Sequence, residues 1–159
     1  MPDMFVHLLD LPNPASLLEK LDAEGIHVHR PLSCNKYKVL DWVNTHSGPG
    51  GAGQCDVCFS RTPVSCFIAT RGDDILGYAC YDATALNFFG PTRVLESEQG
   101  KGLGKALLLV TLQAMREQGY VYAIIGGVGP VEFYEKCVGA TLIPDSTPGV
   151  YRYMLKNKT

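Results

Sequence analysis

The chain has 159 residues, 46% of them hydrophobic and 19% charged, with a net charge of −2. That is the size and composition of one soluble globular domain, and it excludes a disordered or fibrous chain. With no long Lys/Arg cluster there is no electrostatic footprint for nucleic acid, and the longest apolar run, around Leu107 to Leu112, falls far short of a membrane span.

The opening "MFVHLLDLP" reads as a short strand, after which Asn13-Pro14 offers an N-cap and a first-turn proline for the helix "ASLLEKLDAEG", closed by Gly25. "IHVHRPL" follows as a strand. Ser33 is placed to cap a helix whose Tyr37, Leu40, Trp42 and Val43 recur at helical spacing. "HSGPGGAGQ" then breaks the pattern and reads as a mobile surface loop, since no Lys-Ser or Lys-Thr follows to make it a phosphate cradle. "VSCFIATRGDDILGYACYDA" carries a hairpin signal, two apolar runs joined at residues 71–74. A strand from Leu86 to Leu95 has a bulge or kink at Gly90-Pro91, and a helix from Gly102 to about Gln118 is apolar enough to lie against a sheet. "YVYAIIGG" is a buried strand, "PVEFYEKCVG" a short helix, and "ATLIP" and "GVYRYML" two terminal strands. A largely antiparallel first half followed by a strand–helix–strand unit is α+β or α/β in class.

No basic leader precedes an apolar segment at the start of the chain, so the expected location is the cytoplasm and the six cysteines are expected as free thiols. Cys55-x-x-Cys58 is the one pair with metal spacing. Without a second clear pair it is weak evidence for zinc, several cysteines sit in apolar surroundings as small hydrophobes would, and no metal is expected.

"QGKGLG", residues 99–104, is the segment that carries chemistry. A Walker A loop fails because Gln99 stands where a glycine is needed and Ala106 follows the lysine. The dinucleotide fingerprint fails because its third glycine would fall on Lys105 or Leu107. What remains is Q-x-x-G-x-G at a strand-to-helix junction, where successive unpaired N–H groups and the positive end of a helix dipole suit a phosphate or pyrophosphate. The alternative is a tight turn whose glycines only allow close packing.

"TRVLESEQGKGLGKALLLVTLQAMREQGYVYAII", followed by "VEFYEKCVGATLI", resembles the GNAT superfamily of N-acetyltransferases in order and content, over residues 64–143. The first thirty residues look like a strand–helix extension of a single domain, 1–159. The resemblance implies an α+β fold of the three-layer α/β type. Its mixed, mostly antiparallel sheet has helices on both faces and splays between the family's fourth and fifth strands. It also implies acetyl-CoA as cosubstrate, held by the loop Gln99, Gly100, Lys101, Gly102, Leu103, Gly104 and Lys105 and by the strand edge at Val94 and Leu95, with the Leu95 amide near the thioester carbonyl. Tyr134 matches the tyrosine that protonates the leaving thiolate. Phe88 and Phe89 stand where some relatives carry a glutamate base, and Gly127 where many carry an asparagine. Asp82 is therefore the first candidate for the proton acceptor and Glu96 a weaker one, while His27 and His29 read as structural or surface residues. Phe88, Phe89, Tyr81 and Trp42 are candidates to line an acceptor cleft. The expected activity is acetyl transfer to an amine of a small molecule or peptide. The competing expectations are a catalytically silent acyl-CoA-binding module and a purely structural domain, and exposed late strands suggest a homodimer.

Overall fold

The computed structural model describes residues 1–156. Seven strands form one sheet: β1 (Met4–His7), β2 (Ile26–His29), β3 (Cys66–Arg71), β4 (Asp74–Tyr81), β5 (Phe88–Val94), β6 (Tyr122–Ile125) and β7 (Thr141–Leu142), in the spatial order β2-β3-β4-β5-β6-β1-β7. Every neighbouring pair is antiparallel except β5 and β6. Four helices accompany it: α1 (Ala15–Ala23), α2 (Lys36–Cys58), α3 (Leu103–Gln118) and α4 (Val131–Val138).

Strand alternation divides the core in two. Phe67, Ala69, Leu76, Ala79 and Tyr81 face a cluster completed by Leu21 of α1, the leucines of α3 and Tyr134 of α4. On the other face Cys66, Ile68, Ile75, Tyr78 and Cys80 pack against Val39, Val43, Cys55 and Cys58 of α2. This is the expected layered α+β arrangement with a mixed, mostly antiparallel sheet.

The local punctuation largely holds. Asn13 Oδ1 accepts the Ala15 N–H at 2.9 Å, and Gly25 leaves α1 at φ +77°. Gly102 and Gly119 flank α3 at φ +86° and +118°. Three segments differ from expectation. "HSGPGGAGQ" is not a loop: α2 runs through it with one break at Gly48, φ +79° and ψ 179°, after which Pro49 sits where the restarting helix needs no N–H. A side chain at Gly51 would meet Ser47 Cβ at 2.8 Å and the Tyr78 hydroxyl at 3.4 Å, so that glycine lets the helix lie close on the sheet, and burial offsets its low helix propensity. On the same helix Ser33 opens a separate 3-10 turn, Tyr37 is exposed and Val39 is buried instead. At the C-terminal end "ATLIP" yields a two-residue exposed strand, and "GVYRYML" is a 3-10 turn at Gly149–Tyr151 with no strand partner. The long late edge on which a homodimer was expected is therefore absent among the described residues.

The N-terminal segment is woven into the sheet. β1 lies between β6 and β7, with Met4, Val6 and Leu8 fully buried. Among the described residues no helix is long and apolar enough to cross a membrane.

Candidate active site

β5 and β6 pair only at Phe88↔Ile124 and Phe89↔Ile125, and beyond Gly126 they part. The parting follows from the bulge at Gly90-Pro91, which shifts the β4–β5 register between Ala79 and Tyr81. Past the bulge, Leu95 N–H donates to Leu76 O at 2.9 Å and so faces β4. Strand alternation then turns the amides of Thr92 and Val94 to the opposite, open edge. The expectation that the Leu95 amide faces the thioester is corrected: that donor is spent inside the sheet.

At the end of β5 the chain makes a 3-10 turn, Glu96–Glu98, passes Gln99, Gly100 (φ +88°) and Gly102 (φ +86°), and enters α3. Ala106 N–H is the first to find a partner in the new helix, bonding Gly102 O at 2.9 Å. The preceding amides of Leu103, Gly104 and Lys105 lie at the positive end of the helix dipole. Two features hold this turn. Gly102 is packed against α1, since a Cβ there would meet Leu17 Cδ1 at 2.8 Å. The nearly buried Glu98 carboxylate takes Arg71 at 2.8 and 3.2 Å and Lys101 at 2.5 Å. The Arg71 guanidinium, helped by Lys101, pulls the Glu98 carboxyl down to about 2. The Lys101 side chain is thereby turned back onto Glu98.

A cavity of about 560 Å³ opens over this turn, lined by Val94, Gln99, Gly100, Gly102, Leu103, Gly104 and Lys105 together with Thr92, Arg93, Phe133 and Tyr134. Seven of the nine expected cofactor-binding positions thus converge. Leu95 and Lys101 do not line it; Leu95 faces shallower hollows on the other side of β5.

A second cavity of about 270 Å³ lies where β5 and β6 have separated, between Gln54, Thr84, Gly90–Thr92, Ile125–Pro130 and Tyr151. The two share Phe89, Thr92, Pro130 and Tyr134. Tyr134 is 6% exposed, its ring edge-on to Phe89 at 6.3 Å, and burial pushes its hydroxyl up to about 12. It therefore stands protonated, as a donor, at the junction of the two spaces.

Asp82 is not at that junction. Its Oδ1 accepts the Asn87 N–H at 2.8 Å and the Tyr120 hydroxyl at 3.1 Å, and its Oδ2 accepts Gln118 Nε2 at 2.9 Å, all within the core at 1% exposure. It lines neither cavity and ties the β4–β5 connection to the end of α3, which corrects the proton-acceptor expectation. Glu96 is exposed on the far side of β5 beside His46 and Arg93. Tyr81 is bonded to Arg30 at 2.7 Å and Trp42 lies against His46 and Tyr78, so of the four aromatics expected at an acceptor cleft only Phe89 lines either cavity. Gly127 lines the second with its backbone, held by Asp3 Oδ1 at 2.8 Å.

Gln54, Thr84, Thr92 and Tyr151 carry no signal in the sequence. Gln54 stands in the glycine-rich stretch and reaches the cavity because α2 resumes after Gly48, and its Oε1 accepts the Thr84 hydroxyl. The Thr92 hydroxyl donates to Tyr78 O at 2.9 Å. Among the described residues no charged side chain lines the second cavity.

A model of the acetyltransferase (GNAT) family matches residues 41–140 of the chain. No curated protein sequence matches it. Among solved structures, the fold is similar to a GCN5-related glucosamine N-acetyltransferase region of a fungal multi-domain GH3 β-N-acetylglucosaminidase, with a TM-score of 0.72, 11% identity, and coverage of 89% of this chain and 19% of that one. A GCN5-related N-acetyltransferase from Sphaerobacter thermophilus gives a TM-score of 0.58 at 17% identity, covering 89% of this chain and 48% of the other. A GNAT family acetyltransferase from Brucella melitensis, solved in complex with acetyl-CoA, gives 0.54 at 15% identity, covering 74% and 86%. The chain spans less than half the length of the first solved structures it matches.

Proposed function

The chain belongs to the acetyltransferase (GNAT) family, and from that premise we propose that it moves the acetyl group of acetyl-CoA to an amine of a small molecule or peptide by direct attack in a ternary complex. The observation that carries the reading is the meeting of two cavities at Tyr134, one floored by the glycine turn and the other by uncharged groups. The pyrophosphate binds the amides of Leu103, Gly104 and Lys105, where backbone dipoles supply a positive field beside the Arg93 and Lys105 side chains that line the same cavity. The pantetheine arm runs along the open edge of β5.

The acceptor nitrogen attacks the thioester carbonyl carbon, and the carbonyl oxygen takes up negative charge against the outward amides of Thr92 or Val94. The carbon–sulfur bond then breaks. A phenol held near 12 is a weaker acid than a thiol near 8.5. Tyr134 therefore hydrogen-bonds the developing thiolate and keeps its own proton, and the proton to be lost is the one on the nitrogen that has attacked. With no carboxylate lining the acceptor cavity, that proton leaves through water.

The test is coenzyme A release with a panel of amines, alongside calorimetric titration of acetyl-CoA. Tyr134→Phe is expected to lower kcat about 100-fold and to leave acetyl-CoA affinity unchanged. The uncharged acceptor cavity favours a second reading, a silent acyl-CoA-binding module. Binding without release from any amine, indifferent to Tyr134→Phe, selects that module over the enzyme, and absence of binding rejects both.

A further inference from the structure

Four of the six cysteines converge on one point of the core, on the sheet face opposite the glycine turn. Cys55 and Cys58 occupy the last turn of α2, three residues apart and on the same buried side. Cys66 and Cys80 are cross-strand partners of β3 and β4, so their side chains point to one face, the face that α2 covers. The C-x-x-C pair that stands alone in the sequence thus meets a second pair supplied by the sheet.

The geometry is compact. Cys55 Sγ lies 4.0 Å from Cys66 Sγ, and the sulfurs of Cys55, Cys66 and Cys80 all lie within 4.8 Å of one another. Cys58, one turn beyond Cys55 on the same buried side of α2, belongs to the same cluster, with its thiol on the Gln54 carbonyl at 4.0 Å. A point equidistant from three sulfurs with separations of 4.0–4.8 Å is about 2.3–2.8 Å from each, against about 2.3 Å for a zinc–thiolate bond. The sulfurs need to close by well under an ångström to hold an ion. They are not cross-linked: all four are free thiols and fully buried.

The chain between the two pairs is fixed to suit. Cys58 O accepts the N–H of Arg61 at 3.3 Å and of Ser65 at 3.2 Å, folding residues 59–65 back so that Cys66 follows beneath the helix end. Val39, Val43, Ile68, Ile75 and Tyr78 make a dry surround.

We propose that Cys55, Cys58, Cys66 and Cys80 form a structural site for one thiophilic divalent cation of the zinc class. Each thiol that ligates gives up its proton to solvent, so uptake of one ion releases up to about four protons. The ion cross-links the end of α2 to β3 and β4. It also fixes Gln54, the neighbour of Cys55, whose side chain lines the acceptor cavity and whose carbonyl accepts the Cys58 thiol. None of this depends on the transferase reading.

The experiment is metal titration of the intact chain, purified under reducing conditions and stripped with a chelator, using Co²⁺ as the spectroscopic probe and Zn²⁺ as its competitor. The expected result is one equivalent per chain, with the visible bands of tetrahedral cobalt and thiolate-to-metal charge transfer, displaced by Zn²⁺ and accompanied by a rise in melting temperature. Cys66→Val and Cys80→Val, which keep the apolar volume, are expected to abolish those bands, whereas Cys34→Ser and Cys137→Ser, outside the cluster, leave them unchanged. A melting curve of each metal-free variant separates loss of the site from loss of the fold; if both valine variants unfold, Cys55→Ala carries the same test. Absence of a one-equivalent cobalt spectrum overturns the proposal. So does a spectrum that survives the cluster substitutions or vanishes with the two control ones, and so does a mass two hydrogens lighter under mild oxidation together with no metal uptake.

Discussion

The two halves of the cleft are built on different principles. The cavity over the glycine turn is drawn mainly from one stretch of chain, between Phe89 and Leu108, with Pro130, Phe133 and Tyr134 opposite, and the proposed anion contacts in it are backbone amides. The second cavity, proposed for the acceptor, draws on six separated places, the end of α2, the β4–β5 connection, β5, the end of β6, α4 and the C-terminal turn, and its polar groups include side chains such as Gln54 and Thr84. A main-chain site tolerates wide variation in side chains but almost none in φ. A side-chain site behaves in the opposite way.

That contrast is open to direct attack. Gly102→Val should do the most damage, because valine at φ +86° is strained and its Cβ runs into Leu17; a loss of about 2–4 kcal/mol of stability is expected, with acetyl-CoA affinity falling at least about tenfold in calorimetry. Its counterpart is Gly104→Ala. Gly104 has helical backbone and only ordinary contacts, to Phe133 at 3.7 Å and Val94 at 3.9 Å. The substitution should raise stability by up to about 1 kcal/mol while weakening acetyl-CoA binding, since the added methyl enters the cavity. A protein both less stable and undiminished in binding contradicts the backbone site.

On the other half, Gln54→Ala should raise the acceptor KM by roughly fivefold, about 1 kcal/mol for one hydrogen-bonding group, and leave acetyl-CoA affinity alone. A change in cofactor affinity with no change in KM reverses the assignment of the two cavities. The smallest effect concerns acid. The Glu98 carboxyl is lowered in the folded state from 4.5 to about 2 by Arg71 first and Lys101 second. Its contribution to stability is therefore complete above about 4.5 and is lost as the pH falls from there toward 2. Glu98→Gln should lower the melting temperature at neutral pH, with the difference from the unsubstituted chain shrinking over that acidic window. A difference that grows on acidification shows that the carboxylate does not hold the turn.

The sequence determined what is local. The Asn13 turn leading into α1, the glycine stops at Gly25 and Gly119, the Gly90-Pro91 bulge and the run Gln99 to Lys105 each depend on φ, a missing N–H or neighbouring amides, quantities written within a few residues. Tyr134 was reached through resemblance, as part of a family pattern, and the structure sets it between the cavities. Tertiary structure alone decided the rest. The glycines of 48–53 spoke for a loop, yet burial against Tyr78 keeps the segment helical and delivers Gln54 to the second cavity. Leu95 against Val94 turned on one inserted residue, which reverses every amide beyond it. Asp82 looked like a free carboxylate until Asn87, Gln118 and Tyr120 enclosed it. Cys66 and Cys80 sit on a hairpin that one segment signals, but only the packing of α2 on that face brings Cys55 and Cys58 to them. Backbone dihedrals are set by adjacent residues, whereas proximity between segments is set only when the whole core closes.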